Sequence, residues 1–148
     1  KYKADTYGSC FHVFGEKRID RASTETYSWK IQTSEHFEKF IGVFDVTKES
    51  AKNTVNNGTS LYGHKHAIIA GTSGWCGSRH GAECTDLNSF MDKPDVLNIT
   101  VDFKEGVVVF HAEKSGKHAN IKLKWSTKIV CLVAMFDSSV RELCLEIL

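Results

Sequence analysis

The chain has 148 residues and a formal charge of +1, from nineteen Lys and Arg against eighteen Asp and Glu; 41% of it is hydrophobic and 25% charged. That length fits one domain able to bury a sizeable core without metal or disulfide support. No basic stripe stands ready to neutralise phosphates, and no apolar run approaches the ~20 residues of a membrane helix, so neither nucleic acid nor membrane is an expected partner.

Residues 1 to 24 are polar except for Cys10, Phe11, Val13 and Phe14, and read as a short strand closed by Gly15 and followed by a loop. They are expected to form an N-terminal extension, or a first strand, packed on a domain spanning residues 25 to 148. Tyr27-Ser28-Trp29-Lys30-Ile31 alternates large apolar groups with polar ones, which predicts a strand anchored in the core by Trp29. Phe40-Ile41-Gly42-Val43-Phe44 is a nearly continuous apolar run; Gly42 within it predicts a bulge or a close backbone approach, and the two strands are expected to form a hairpin. From Thr47 to Gly63 the chain turns polar, with Asn53, Asn56, Asn57 and Gly58 favouring turns, so this stretch is the longest predicted surface loop. A short strand follows at His64 to Ala70, then a glycine-rich stretch around Trp75 and a loop-like segment from residue 79 to 95.

The pattern is clearest at Ile99, Val101 and Phe103, which alternate with Asn98, Thr100 and Asp102, before Lys104-Glu105-Gly106 and the return run Val107-Val108-Val109-Phe110. A hairpin with Gly106 at positive φ is predicted, its second strand covered on both faces. After a turn at Lys114 to His118, Ile121, Leu123 and Trp125 alternate with Lys122 and Lys124 as a half-buried strand. Ile129 to Phe136 is the most apolar run and reads as a buried central strand; Val140 to Leu148 reads as a last strand. Strands recur about every ten residues with no long helical period, so the expected class is all-β: two antiparallel sheets packed face to face around Trp29, Phe40, Phe44, Phe103 and Phe110.

Three ordered pieces, Tyr27 to Ile31 leading into Phe40-Ile41-Gly42-Val43, then Gly74-Trp75, then Ile99 to Phe103 with Gly106 to Phe110, resemble a SPRY domain over roughly residues 26 to 136. No segment matches the PRY extension that can precede that family. The resemblance implies a bent β-sandwich without catalytic machinery or cofactor, monomeric as an isolated domain. It also implies a larger intracellular protein, cytoplasmic or nuclear, with adaptor or signalling roles and binding of a peptide or protein through loops at one edge. Those loops vary within the family, so no binding residue transfers by position. The start at Lys1 agrees with a fragment of a longer protein. The odd count of five cysteines points to a reducing compartment, against which stand two sequons, at Asn57 and Asn98, read as unmodified.

Other chemistries are weaker. His64-Lys65-His66 and Cys76-x3-His80-x3-Cys84 carry zinc-type ligands without a closed four-ligand spacing, and Gly77 and Gly81 oppose the helix that the x3 spacing would need. Cys76, His80 and Glu83 offer a nucleophile, base and acid in one loop, but proximity in sequence is not geometry; Asp86, Asp92 and Asp95 are loop acids that nothing sets across a cleft. No metal site and no catalytic residue are therefore assigned. The partner-binding candidates are Tyr62, His64, Trp75, Arg79 and His80, residue types enriched at hot spots, on the loops 47 to 63 and 78 to 95. Trp75 also suits the core, leaving Tyr62 and Arg79 as the exposed pair. A secreted carbohydrate-binding sandwich, or a zinc or thiol enzyme using the Cys76 to Cys84 loop, are the alternatives.

Overall fold

A computed structural model describes residues 2–3, 10–33, 38–55, 64–71, 75–78, 85–86, 96–137, 142–143 and 146–147. Its strands are β1 (Tyr2–Lys3), β2 (Cys10–Asp20), β3 (Thr26–Gln32), β4 (Glu38–Asp45), β5 (Ala67–Gly71), β6 (Trp75–Ser78), β7 (Thr85–Asp86), β8 (Val96–Asp102), β9 (Val107–Ala112), β10 (His118–Lys122), β11 (Ile129–Asp137), β12 (Glu142–Leu143) and β13 (Glu146–Ile147). A 3₁₀ turn at Glu49–Thr54 interrupts them. One sheet runs β10-β9-β8-β3-β13, a second runs β2-β11-β4-β5-β6-β7, and β1 pairs with β12. All pairings are antiparallel, and the protein is an all-β sandwich.

The β8–β9 hairpin forms as its alternation dictates. Leu97, Ile99 and Val101 are buried while Asn98, Thr100 and Asp102 stay half-buried. The turn closes with Gly106 at φ +67°, and Asp102 Oδ1 accepts the Glu105 N–H at 2.9 Å. The return strand differs from expectation. Only Val108, Phe110 and Ala112 are buried, because β9 lies one place from the sheet edge and its Val107 and Val109 face outward, half-covered. On that outer face the Ser28 and Thr100 hydroxyls meet at 2.8 Å, and Asn98 Nδ2 donates to Glu113 Oε1 at 2.9 Å. Asn98, first, and Lys30, at 3.1 Å, hold the Glu113 carboxyl below its ordinary range.

Strands β4, β5 and β11 of the six-stranded sheet are apolar on both faces, and this splits the core in two. Ile41, Val43, Ile68, Ala70, Val130, Leu132 and Phe136 meet Trp29, Ile31, Ile99, Phe110 and Ile121 between the sheets. On the opposite face Phe44, Ile69, Cys131, Val133 and Met135 are covered by Val46 and by Ala51 of the 3₁₀ turn, with Phe14, Phe40 and Val55 alongside. Phe40 and Phe44 therefore do not join Trp29, Phe103 and Phe110 between the sheets as expected. They share parity with Gly42, and a strand sends successive side chains to opposite faces.

Other expectations are corrected by strand pairing. β3 and β4 do not form a hairpin: β3 pairs with β8 and β13, β4 with β11 and β5, so the chain crosses between sheets after Thr33. Gly42 marks a close approach. A Cβ there would lie 2.1 Å from the Ile68 carbonyl oxygen and 2.7 Å from Ile69 Cα. Gly15 does not close the first strand either, since β2 continues to Asp20 along β11, and the register shifts where Gly15 faces Leu132. The predicted loop from Thr47 contains the 3₁₀ turn with Ala51 buried, and the segments 71 to 78 and 79 to 95 contribute β6 and β7. β11, paired on both sides, is the buried central strand predicted.

Candidate functional site

Five segments meet at one end of the sandwich: the turn from Arg21 to Glu25, the exit of β4 at Asp45 to Lys48, the approach to β5 at His64 to His66, the β8–β9 turn, and the 122–128 connection from β10 to β11. Backbone bonds tie them together. Asp45 N donates to His66 O at 2.8 Å, Val46 N to Ile129 O at 2.9 Å, Arg21 N to Lys128 O at 2.8 Å, and Leu123 N to Gly106 O at 2.8 Å. A polar clasp sits at their centre. Asp45 Oδ1 accepts from Thr47 N at 2.9 Å and Thr47 Oγ1 at 2.6 Å, while Oδ2 accepts from Oγ1 of Thr127, itself only 3% exposed, at 2.8 Å. Thr47 Oγ1 in turn accepts from Lys128 N at 2.8 Å and Ile129 N at 3.1 Å. Both oxygens of Asp45 are thus committed to holding the β4 exit against the connection from β10 to β11.

Above the clasp opens a cleft of about 300 Å³, bounded by Asp45, Thr47, Ala67, Ile68, Ser126 and Thr127, with Lys48, Lys65, His66, Lys122 and Lys124 around it. Its charge is one-sided. None of these lysines forms an ion pair with a described residue. Burial holds His66 below its ordinary value; Asp45 acts against this, and Lys65, Lys124 and Lys48 reinforce it. His66 is therefore neutral near pH 7 in a field of ammonium groups.

His64 has a different use. Its ring lies 5.2 Å from that of Phe44, its Nδ1 accepts the His66 N–H at 3.2 Å, and its Nε2 stands 3.1 Å from Thr54 Oγ1. An accepting Nδ1 places the proton on Nε2, directed at Thr54, whose hydroxyl donates to Ala51 O at 2.6 Å. His64 pins the 3₁₀ turn onto the outer face of the sheet. Burial first, then the neighbouring His66, lowers its pKa.

Beside the cleft stands Trp125, 79% exposed instead of turned inward as the alternation with Ile121 and Leu123 predicted. β10 ends at Lys122, and once strand pairing stops, the period of two no longer dictates direction. Arg21 and Lys128 place their cations 4.7 and 4.8 Å from its ring, and Arg21 Nη1 donates to the Trp125 carbonyl at 2.7 Å. The indole is held in place although it is exposed.

Of the predicted binding residues, Tyr62, Arg79 and His80 lie outside the described residues. His64 precedes the cleft residues Lys65 and His66, with its own ring engaged by Phe44 and Thr54. Trp75 opens β6, whose Cys76 pairs with Ala70, so its backbone lies at the far end of β5 from His64. The structure does not bring those two together. It assembles instead Lys48 and Lys65 with Lys122 and Lys124, the last two of which alternate with Ile121 and Leu123. The spacing Lys122-x-Lys124-Trp125-x-x-Lys128 was the available signal. The Cys76 to Cys84 loop lies largely outside the described residues; among the described residues no group of three metal-ligating side chains occurs. No family model matches the chain, and no curated protein matches its sequence.

Proposed function

We propose that this chain is a non-catalytic protein- or peptide-recognition module of a larger intracellular protein, SPRY-like in its ordered motifs, working in the cytoplasm or nucleus. The observation that carries the reading is Trp125. A large apolar ring 79% exposed, fixed by Arg21 and Lys128 on a loop braced by the Asp45 clasp, is the kind of rigid amphipathic anchor from which binding hot spots are built. The unpaired, buried thiol of Cys131 supports a reducing compartment. The test is affinity capture from cell lysate with the parent chain and with a Trp125→Ala variant that still unfolds cooperatively. A protein retained by the parent and lost by the variant is the expected result. A partner held equally by both would refute the assignment of this edge, and binding to a glycan array with no protein captured would refute the module itself.

A further inference from the structure

We infer that the cleft at the Asp45 end of the sandwich docks an acidic peptide segment, its side-chain carboxylates received by Lys48, Lys65, Lys122 and Lys124. This rests on the recognition-module reading and specifies its chemistry. These lysines come from the β4 exit, the approach to β5 and the end of β10, so the fold brings together ammonium groups from both sheets around one opening of about 300 Å³. Side chains that repel one another are not gathered to stabilise the fold. Among the described residues they form no ion pair, and the one carboxylate that lines the cleft there, Asp45, has both oxygens occupied by Thr47 and Thr127. An acidic ligand would supply charge complementary to these ammonium groups.

Geometry favours a peptide over a compact anion. The ammonium groups are point charges on flexible stems carried by three separate segments, a layout that suits several spaced carboxylates rather than one phosphate held in a fork.

The experiment is a selection from a random heptapeptide display library on the 148-residue chain, followed by fluorescence anisotropy with synthetic copies of the selected peptides. Three proteins are compared: the parent, Lys65→Glu/Lys124→Glu, and a charge-matched control, Lys30→Glu/Lys104→Glu. The inference expects Asp or Glu at two or more selected positions and binding weakened about tenfold in the cleft variant. It also expects near-parent affinity in the control, and loss of binding when the acids of the peptide are replaced by Gln or Asn. Selected peptides without acids, or acidic peptides that bind the cleft variant and the control alike, would overturn the acidic docking site while leaving the recognition module standing. Selection of no peptide counts against the module itself, and the inference falls with it. Oligothymidylate that displaces the peptide and binds as tightly would identify the cleft as a general polyanion surface and overturn the peptide as its occupant.

Discussion

Trp29→Ala and Trp125→Ala delete the same side chain from opposite environments, which makes the pair a direct test of the core. Trp29 is 5% exposed between the sheets, opposite Ile99 in register and 4.9 Å from the Tyr27 ring; Trp125 is 79% exposed. A Trp buries about 200 Å² when fully covered, and about 25 cal/mol per Å² then gives about 4–5 kcal/mol for Trp29 and about 1 kcal/mol for Trp125. Large-to-small core substitutions of aromatic residues cost about 3–5 kcal/mol, in agreement with the first figure. At about 2–4 °C per kcal/mol for a chain near this size, Trp29→Ala should lower Tm by at least about 8 °C and Trp125→Ala by no more than about 4 °C. Thermal unfolding followed by far-UV circular dichroism measures both Tm shifts, and urea unfolding at unchanged slope the free energies. Equal shifts for the two variants would refute the division of core from surface on which the site rests.

Gly42→Ala should destabilise the fold by about 1–2 kcal/mol or more. Overpacking against backbone that cannot yield costs about 1–3 kcal/mol or more, and the stiffer unfolded chain returns less than about 1; a neutral melting curve would show that β4 and β5 can part there. Asp45→Ala strands the Thr47 amide and the buried Thr127 hydroxyl and should cost about 2–4 kcal/mol, with a coupling of about 1 kcal/mol to Thr127→Val in a double-mutant cycle. Additive single effects would mean that the clasp is not a unit. His64 and His66 are both lowered from the ordinary value of 6.5, so the unfolded chain takes up protons that the folded chain refuses. Stability should be fully present above about pH 6.5 and fall as pH drops through that value, until the folded rings protonate. Urea midpoints across pH 5 to 8 check the direction, and His64→Gln/His66→Gln should flatten the slope; an unchanged slope would assign it to other groups.

Much of the architecture was legible from local pattern alone. The alternation at Ile99, Val101 and Phe103, the glycine at position 106, the apolar run at Ile129 to Phe136 and the inward Trp29 follow from strand geometry, which depends only on near neighbours in the chain. Which strands pair was not legible, because pairing is settled by long-range contacts. β3 and β4 look like a hairpin in sequence yet belong to different sheets, and Phe40 and Phe44 look like core rings yet cover the outer face. The candidate site was still less visible. Its lysines come from positions 48, 65, 122 and 124, and nothing in a one-dimensional pattern places residues more than fifty positions apart around one cleft. The period of two correctly sent Lys122 and Lys124 to the wet side and then misdirected Trp125, because the ladder that enforces the period ends at Lys122. By itself the sequence determined the class, most of the strands and the burial of Trp29. Only the tertiary structure decided which faces are covered and which charges meet, since both depend on where two sheets bring distant segments together.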